Sequence, residues 1–462
     1  RIPNMLRRFF AEGAFSAGFV PVMARYKERH GHDEAREYVD AMAGTFGVVL
    51  FVVTLIGVIG APALVLIVAP GFVGDGGDFD LAALMLRFTF PYLFFVSLTA
   101  FAGGVLNTYG RFGVPAFTPV ILNVVLIAAA VWAAPLLDQP IMALAYANFV
   151  AGVAQLLFQL PFLAQIRAFP RPKWRPRHEG VRRAFRLMVP AIFGSSVAQI
   201  NVLLSGIIAS LLPVGSISYL YYSDRLMEFP LGLFGIALAT VTLPYLSRLW
   251  ASEERREFAE TLEWSMRIAL LIAVPAAIGL VVLAAPLIIT LFHGGEFGER
   301  SVRMTVLALQ AYAVGLVGFS FVKVLAPAFF AREDTRTPVR IGIVALLANV
   351  ILGSASAWYL TSRGFAGPHV GLAAATSVAA LLNAALLYRG LRRAGVLEHA
   401  PGWGFLLARV GLANLAMIAA LWALHRDVAW WLSAGLADRV WWLGFAVVAG
   451  AGAYCVALLV LG

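Results

Sequence analysis

Apolar residues along this chain fall in long continuous runs separated by short polar loops. The runs cover about 9–26, 39–70, 81–109, 114–136, 140–166, 181–212, 215–249, 260–292, 300–330, 338–362, 367–390, 402–425 and 437–461. Most reach the roughly 20 residues a helix needs to cross a hydrocarbon core of about 30 Å. Thirteen membrane-embedded helical segments are therefore expected, the first of them only half a helix. The runs do not alternate apolar with polar positions, which excludes a membrane β-barrel.

The loops alternate in charge. Arg25–Arg29 is basic, 75–80 holds three aspartates and no cation, Arg111 marks the next loop, and 136–139 is bare of cations. The segment 167–186 carries eight Lys/Arg against one Glu, and basic residues recur at 248–257, 331–340 and 389–393. Basic loops stay on the cytoplasmic side, so both termini of the intact protein are expected in the cytoplasm. Composition agrees with a membrane class: 61% of residues are hydrophobic, 13% charged, and mean hydropathy is +0.84. The formal charge of +10 reads as loops facing anionic lipid, so no nucleic-acid partner is expected. One cysteine, Cys455, and seven scattered histidines offer no disulfide framework and no metal-ligand spacing. No metal or cofactor is expected.

The chain resembles itself at a spacing of about 223 residues. Val20-Pro21 and Arg25 match Leu243-Pro244 and Arg248; Ala61-Pro62 matches Ala285-Pro286; Asn123-Val124 matches Asn349-Val350. A repeated bundle with the substrate path between its halves is a common transporter plan. The expected fold is an all-α polytopic membrane protein of two pseudo-symmetric six-helix lobes plus two C-terminal helices. Its expected parts are an N-lobe at 1–166, a basic cytoplasmic linker at 167–180, a C-lobe at 181–394 and two C-terminal helices within 395–462. Segment 181–212 precedes the part of the second repeat that matches Arg1, so an opening helix within about 40–45 further residues is expected ahead of Arg1, fourteen helices in all.

Charges inside apolar segments are costly, about 2.5–3.5 kcal/mol on insertion scales, and usually line a cavity. Two clusters occupy comparable places in the repeats. In RIPNMLRRFFAEG, Arg8 and Glu12 are one helical turn apart, while Arg7 lies on another face. In YYSDRLMEFP, Asp224 and Glu228 share a face, and Arg225 pairs with Glu228 at i,i+3. Snorkelling residues or helix-pinning salt bridges would look similar. Mirrored placement and helices that continue past both clusters favour arginines facing a shared cavity, where guanidinium forks take phosphate oxygens. Arg87 and Lys323 are further cavity candidates. The Asn and Gln residues in apolar segments (Asn123, Asn148, Gln155, Gln159, Gln199, Asn201, Gln310, Asn349 and Asn383) read as helix-joining hydrogen bonders, and Ala102-Gly103-Gly104 and Gly315/Gly318 as close-approach points.

With RIPNMLRRFFAEGAFSAGFVPVMARYKER, YYSDRLMEFPLGLFGIALATVTLP and VKVLAPAFFAREDTRTPV in view, the chain closely resembles the MurJ (MviN) lipid II flippase family of the multidrug/oligosaccharidyl-lipid/polysaccharide exporter superfamily. That resemblance implies export of undecaprenyl-pyrophosphate-linked disaccharide pentapeptide (lipid II) across the bacterial inner membrane by alternating access, for peptidoglycan synthesis. It implies pyrophosphate-binding roles for Arg7 and Arg225 with Glu228 as acidic partner, and matches Arg8, Glu12 and Asp224 to other charged motif positions. A further essential family arginine lies on the first helix. The last two helices, about 402–425 and 437–461 with Trp441 and Trp442, are implied to form a lipid-tail groove; a tryptophan belt at the interface is the plainer reading. Membrane lipids and cell-wall synthesis proteins are the other partners implied. Coupling to the membrane potential or Na+ is implied too, although segment 181–212 offers no mid-helix carboxylate and only Asn201 nearby. Two rival readings fit these residues less well. A cation-coupled multidrug exporter would need a carboxylate-lined cavity. A membrane glycosyltransferase would need a catalytic carboxylate in a long outer loop, and the outer loops here are short.

Overall fold

The computed structural model describes residues 14–73, 78–397 and 402–461. Its described elements are helices, apart from one isolated bridge between Gly294 and Phe297. Among the described residues, ten helices are long and apolar enough to span a membrane.

The chain opens with α1 (Ala14–Ile59), α2 (Ala61–Val68), α3 (Asp78–Thr89), α4 (Pro91–Thr108), α5 (Gly113–Ala128), α6 (Met142–Gln165) and α7 (Glu179–Ser210). It continues with α8 (Ser216–Pro230), α9 (Ile236–Ala251), α10 (Arg255–Val282), α11 (Ala284–Phe292), α12 (Glu299–Ala331), α13 (Arg336–Ser362) and α14 (His369–Arg393). The last elements are α15 (Trp403–Ala423), the short α16 (Val428–Ser433) and α17 (Leu436–Val460). Helix α1 breaks at Gly31, whose φ of 85° suits a residue without Cβ, and becomes two helices. Prolines stand at the first turns of α2 and α4, where a missing N–H costs nothing. At the start of α13, Asp334 accepts the Thr337 N–H at 3.0 Å. The Thr337 contacts hold that carboxyl below its ordinary range.

Two compact units result, Arg1–Leu203 and Leu204–Gly462, and the boundary falls inside α7. In the first, α4 packs against α1 and α6. Its core stacks Phe15 on Phe19 and Phe46, at ring separations of 4.9 and 5.0 Å, with Phe101 edge-on to Phe19 at 5.1 Å. Buried amides join the helices: Gln155 donates to the Thr118 carbonyl at 3.1 Å and Gln159 to its hydroxyl at 2.8 Å.

In the second unit α12 is the hub, packed by α8, α9, α10, α11 and α14. Gly315 and Gly318 let α14 come so close that a Cβ on Gly318 would stand 2.6 Å from the Ala380 carbonyl carbon. Backbone cannot yield there as a side-chain tip would. Gly318→Leu is therefore expected to destabilise the fold by about 1–3 kcal/mol or more, read as a lowered melting temperature in detergent; an unchanged melt would contradict this packing. Asn349 links three helices, donating to Ser205 of α7 at 3.4 Å and accepting from Thr376 of α14 at 3.2 Å.

The repeat spacing reappears in the elements. Helices α2 and α11 begin at Ala61 and Ala284, and α5 and α13 at Gly113 and Arg336, each pair 223 apart. One contact recurs with its chemistry exchanged. In the first unit the Lys27 ammonium sits 4.3 Å from the Tyr109 ring centroid. In the second, at the positions 223 later, the Arg332 guanidinium sits 5.0 Å from the Trp250 ring.

The basic stretch after α6 is tied to α1. Asp40, 3% exposed, accepts the Lys173 ammonium at 2.9 Å and the Arg171 N–H at 2.8 Å. Its carbonyl takes the Lys173 N–H at 2.9 Å. Arg175 pairs with Glu37, and its N–H reaches the Thr45 hydroxyl. Gly44 makes room for this: a Cβ there would lie 2.3 Å from the Lys173 carbonyl oxygen.

Candidate anion-binding face on α8

Helix α8 starts after Gly215, in the left-handed region at φ 93°. Ser216, Leu220, Ser223 and Met227 are buried, a stripe at helical spacing that faces α12. Ser223 fixes the register. Its hydroxyl lies 2.8 Å from the Tyr219 carbonyl and 2.9 Å from the Thr305 carbonyl of α12. Locking that stripe inward turns Tyr221, Arg225 and Glu228 to the other side, at i, i+4 and i+7.

There the Arg225 Nη1 donates to Glu228 Oε2 at 2.9 Å, with the two side chains 45% and 42% exposed. The Tyr221 ring backs the guanidinium at 5.2 Å. Asp224 is half-buried one residue before. Immediately after Pro230 the helix widens into a single π turn, Leu231–Gly235, before α9. Pro230 supplies no N–H to the ladder, and such turns often mark functional places in helices. The face thus presents one delocalised cation, held by an acid and an aromatic ring. Glu228 occupies one nitrogen of a group with five N–H donors, leaving donors for an oxyanion. Tyr221 was not among the expected site residues. Its signal in the sequence is its position one turn ahead of Arg225.

The other expected residues are placed as follows. Arg7, Arg8 and Glu12 lie outside the described residues. Arg87 is exposed in the last turn of α3 and Lys323 is exposed on α12. Among the described residues no cluster of three His, Cys, Asp or Glu side chains stands ready for a metal ion. In the C-terminal part α15 and α17 pack together. Trp441 is exposed, whereas the Trp442 indole N–H reaches the Leu424 carbonyl at 3.3 Å.

Comparison with known proteins places this architecture. Among solved structures, a lipid II flippase MurJ in an inward closed conformation superposes with a TM-score of 0.77 at 24% identity, covering 99% of this chain and 89% of that one. An inward-facing multidrug resistance MATE family transporter of the MOP superfamily matches with a TM-score of 0.69 at 15% identity, covering 86% and 88%. These likenesses establish the fold. A probable lipid II flippase MurJ of Vibrio cholerae is 45% identical, over all of this chain and 88% of the relative. One from Haemophilus influenzae is 44% identical over all of this chain and 92% of the relative. The lipid II flippase MurJ of Burkholderia cenocepacia is 44% identical over 89% and 80%. The family model described as lipid II flippase MurJ matches residues 1–439. By that match and those identities, this multi-pass helical chain belongs to the lipid II flippase MurJ family.

Proposed function

We propose that this protein is a flippase that carries lipid II across the bacterial inner membrane by alternating access. The observation that carries the reading is the α8 face, where Arg225 is pinned by Glu228 at 2.9 Å and backed by Tyr221 yet remains 45% exposed. A guanidinium fork matches the oxygens of a pyrophosphate in geometry and charge. As the anion arrives it competes with Glu228 for the Nη1 donor, so binding exchanges an internal ion pair for a substrate contact. The exposed acid of this face, Glu228, is already paired with Arg225 at 2.9 Å, which sets it apart from a carboxylate lining free to hold cationic drugs. Family membership supports the substrate.

In this reading Arg7 and Arg8, with Glu12, supply the matching cationic surface from the N-lobe at 1–166, and the C-lobe at 181–394 supplies Arg225, Asp224 and Glu228. Arg87 and Lys323 add positive charge to the path. The segment 167–180 is the cytoplasmic linker, and the two helices within 395–462 hold the lipid tail. Both termini are cytoplasmic in this reading. Outward movement of the anionic headgroup is favoured by an interior-negative potential, at about 2.3 kcal/mol per charge per 100 mV. No cofactor takes part, and a Na+ gradient is the alternative source of drive for the reset. Cell-wall synthesis proteins that consume the exported precursor are the expected neighbours.

The test is growth of a bacterium depleted of its own flippase, complemented by the full-length gene. Wild type restores growth and Arg7→Ala does not, at equal membrane levels. Lipid II accumulating on the inner leaflet in the Arg7→Ala strain ties the failure to transport. Normal growth with Arg7→Ala would remove the paired-arginine reading.

A further inference from the structure

A groove of about 530 Å³ opens in the first unit between α1, α4, α6 and the linker, within the roughly 300–1,000 Å³ of ligand sites. Its walls are apolar: Gly47 and Phe51 of α1, Phe94 and Leu98 of α4, Leu160 of α6 and Phe169 of the linker. The internal repeat shows what such a face does elsewhere. Gly44 and Val48, which line the groove, correspond at a spacing of 223 to Arg267 and Leu271 of α10. In the second unit both are roofed: Arg267 lies 5.7 Å from the Trp403 ring of α15, and the Leu271 carbonyl accepts the Tyr454 hydroxyl of α17 at 2.8 Å. In the first unit no described helix takes that place, and Phe51 is left 58% exposed.

Charge at the linker selects the occupant. Lys173 and Arg175 are satisfied by Asp40 and Glu37. Arg167, Arg171 and Arg177 are exposed and make no ion pair among the described residues. Arg167 and Arg171 flank the groove-lining Phe169 and Pro170 in sequence, and the Arg171 backbone is anchored by Asp40. An apolar slot whose linker wall is flanked in sequence by exposed cations suits a molecule with a hydrocarbon chain and a phosphate. A partner's transmembrane helix would match the slot but leave the arginines unanswered.

We infer that this groove binds an anionic glycerophospholipid, with an acyl chain between α1, α4 and α6 and the phosphate at Arg167 and Arg171. The site is separate from the transport reading and does not need it.

The test uses the purified full chain in detergent with equal amounts of phosphatidylglycerol and phosphatidylcholine of the same acyl chains, with retained lipid counted by native mass spectrometry. Wild type is expected to retain phosphatidylglycerol about thirtyfold over phosphatidylcholine, given two arginines each favouring an anionic headgroup by about fivefold. Gly47→Phe fills the groove, and a Cβ at that position meets nothing within 4 Å, so the helix has room for it. Retained phosphatidylglycerol should fall by the same factor. Arg167→Gln with Arg171→Gln, both on the exposed linker, should bring the two lipids to parity. Arg225→Ala should leave binding unchanged. The proposal is overturned if Gly47→Phe and the double variant both retain phosphatidylglycerol as wild type does, or if wild type shows no preference. It also falls if Arg225→Ala abolishes retention, or if Gly47→Phe releases a co-purifying polypeptide in place of lipid.

Discussion

Arg225→Ala is expected to abolish complementation of a flippase-depleted strain while leaving the folded protein nearly as stable as wild type. The two halves of this expectation have different physical sources. The Arg225–Glu228 pair is nearly half exposed, and exposed pairs are worth about 0–1 kcal/mol, so its loss hardly moves a melting curve. The anchoring of α8 rests on the opposite face, on Ser223, Leu220 and Met227, which the substitution leaves alone. A charge-assisted contact to an oxyanion is worth about 1.5–3 kcal/mol, roughly ten- to a hundredfold in substrate occupancy. Arg225→Lys keeps the charge and loses the fork, so it should fall between alanine and wild type in a lipid II export assay. A stable Arg225→Ala protein that supports normal growth would refute the role. A protein that fails only because it unfolds would show that the arginine is structural.

The second large effect is expected at the linker, and it is asymmetric. Asp40 is 3% exposed while the side chain of its partner Lys173 is 47% exposed. Lys173→Ala strands a buried carboxylate with the Arg171 N–H as its remaining donor among the described contacts, and breaking a buried pair in this way costs about 3–5 kcal/mol. Asp40→Asn leaves a lysine that water can solvate, and the amide oxygen can still accept from Arg171, so about 1–2 kcal/mol is expected. Thermal melts in detergent should rank Lys173→Ala below Asp40→Asn. Combining the two should cost less than the sum of the single effects, because the charge that one change strands is removed by the other. Equal losses for both single variants would mean that the pair is effectively solvated.

Much of the fold was legible because a bilayer imposes length and continuity on apolar segments. Spans such as Met142–Gln165 and Trp403–Ala423 follow from that constraint alone, whereas the breaks at Gly60 and Leu283, which split the expected continuous runs 39–70 and 260–292, did not show in apolar continuity. The Arg225–Glu228 pair was legible because both members lie on one helix at i,i+3. Contacts across long sequence separation were not. Asp40 forms its ion pair with a partner 133 residues away, which no local spacing announces. One clue was available: Val39, Ala41 and Met42 around it are apolar and prove fully buried, so an acid among them needed a cation. The apolar groove was invisible for another reason. A helix face turned to lipid and one turned to a neighbouring helix carry similar residues, and only packing tells them apart.

The exchanged pair at Lys27–Tyr109 and Trp250–Arg332 has a consequence for how the two halves are compared. The residues at both places differ, yet each half sets a positive charge against a π-face, with the ends traded. The likeness lies in a relation between two places, which a comparison of identical letters would not register.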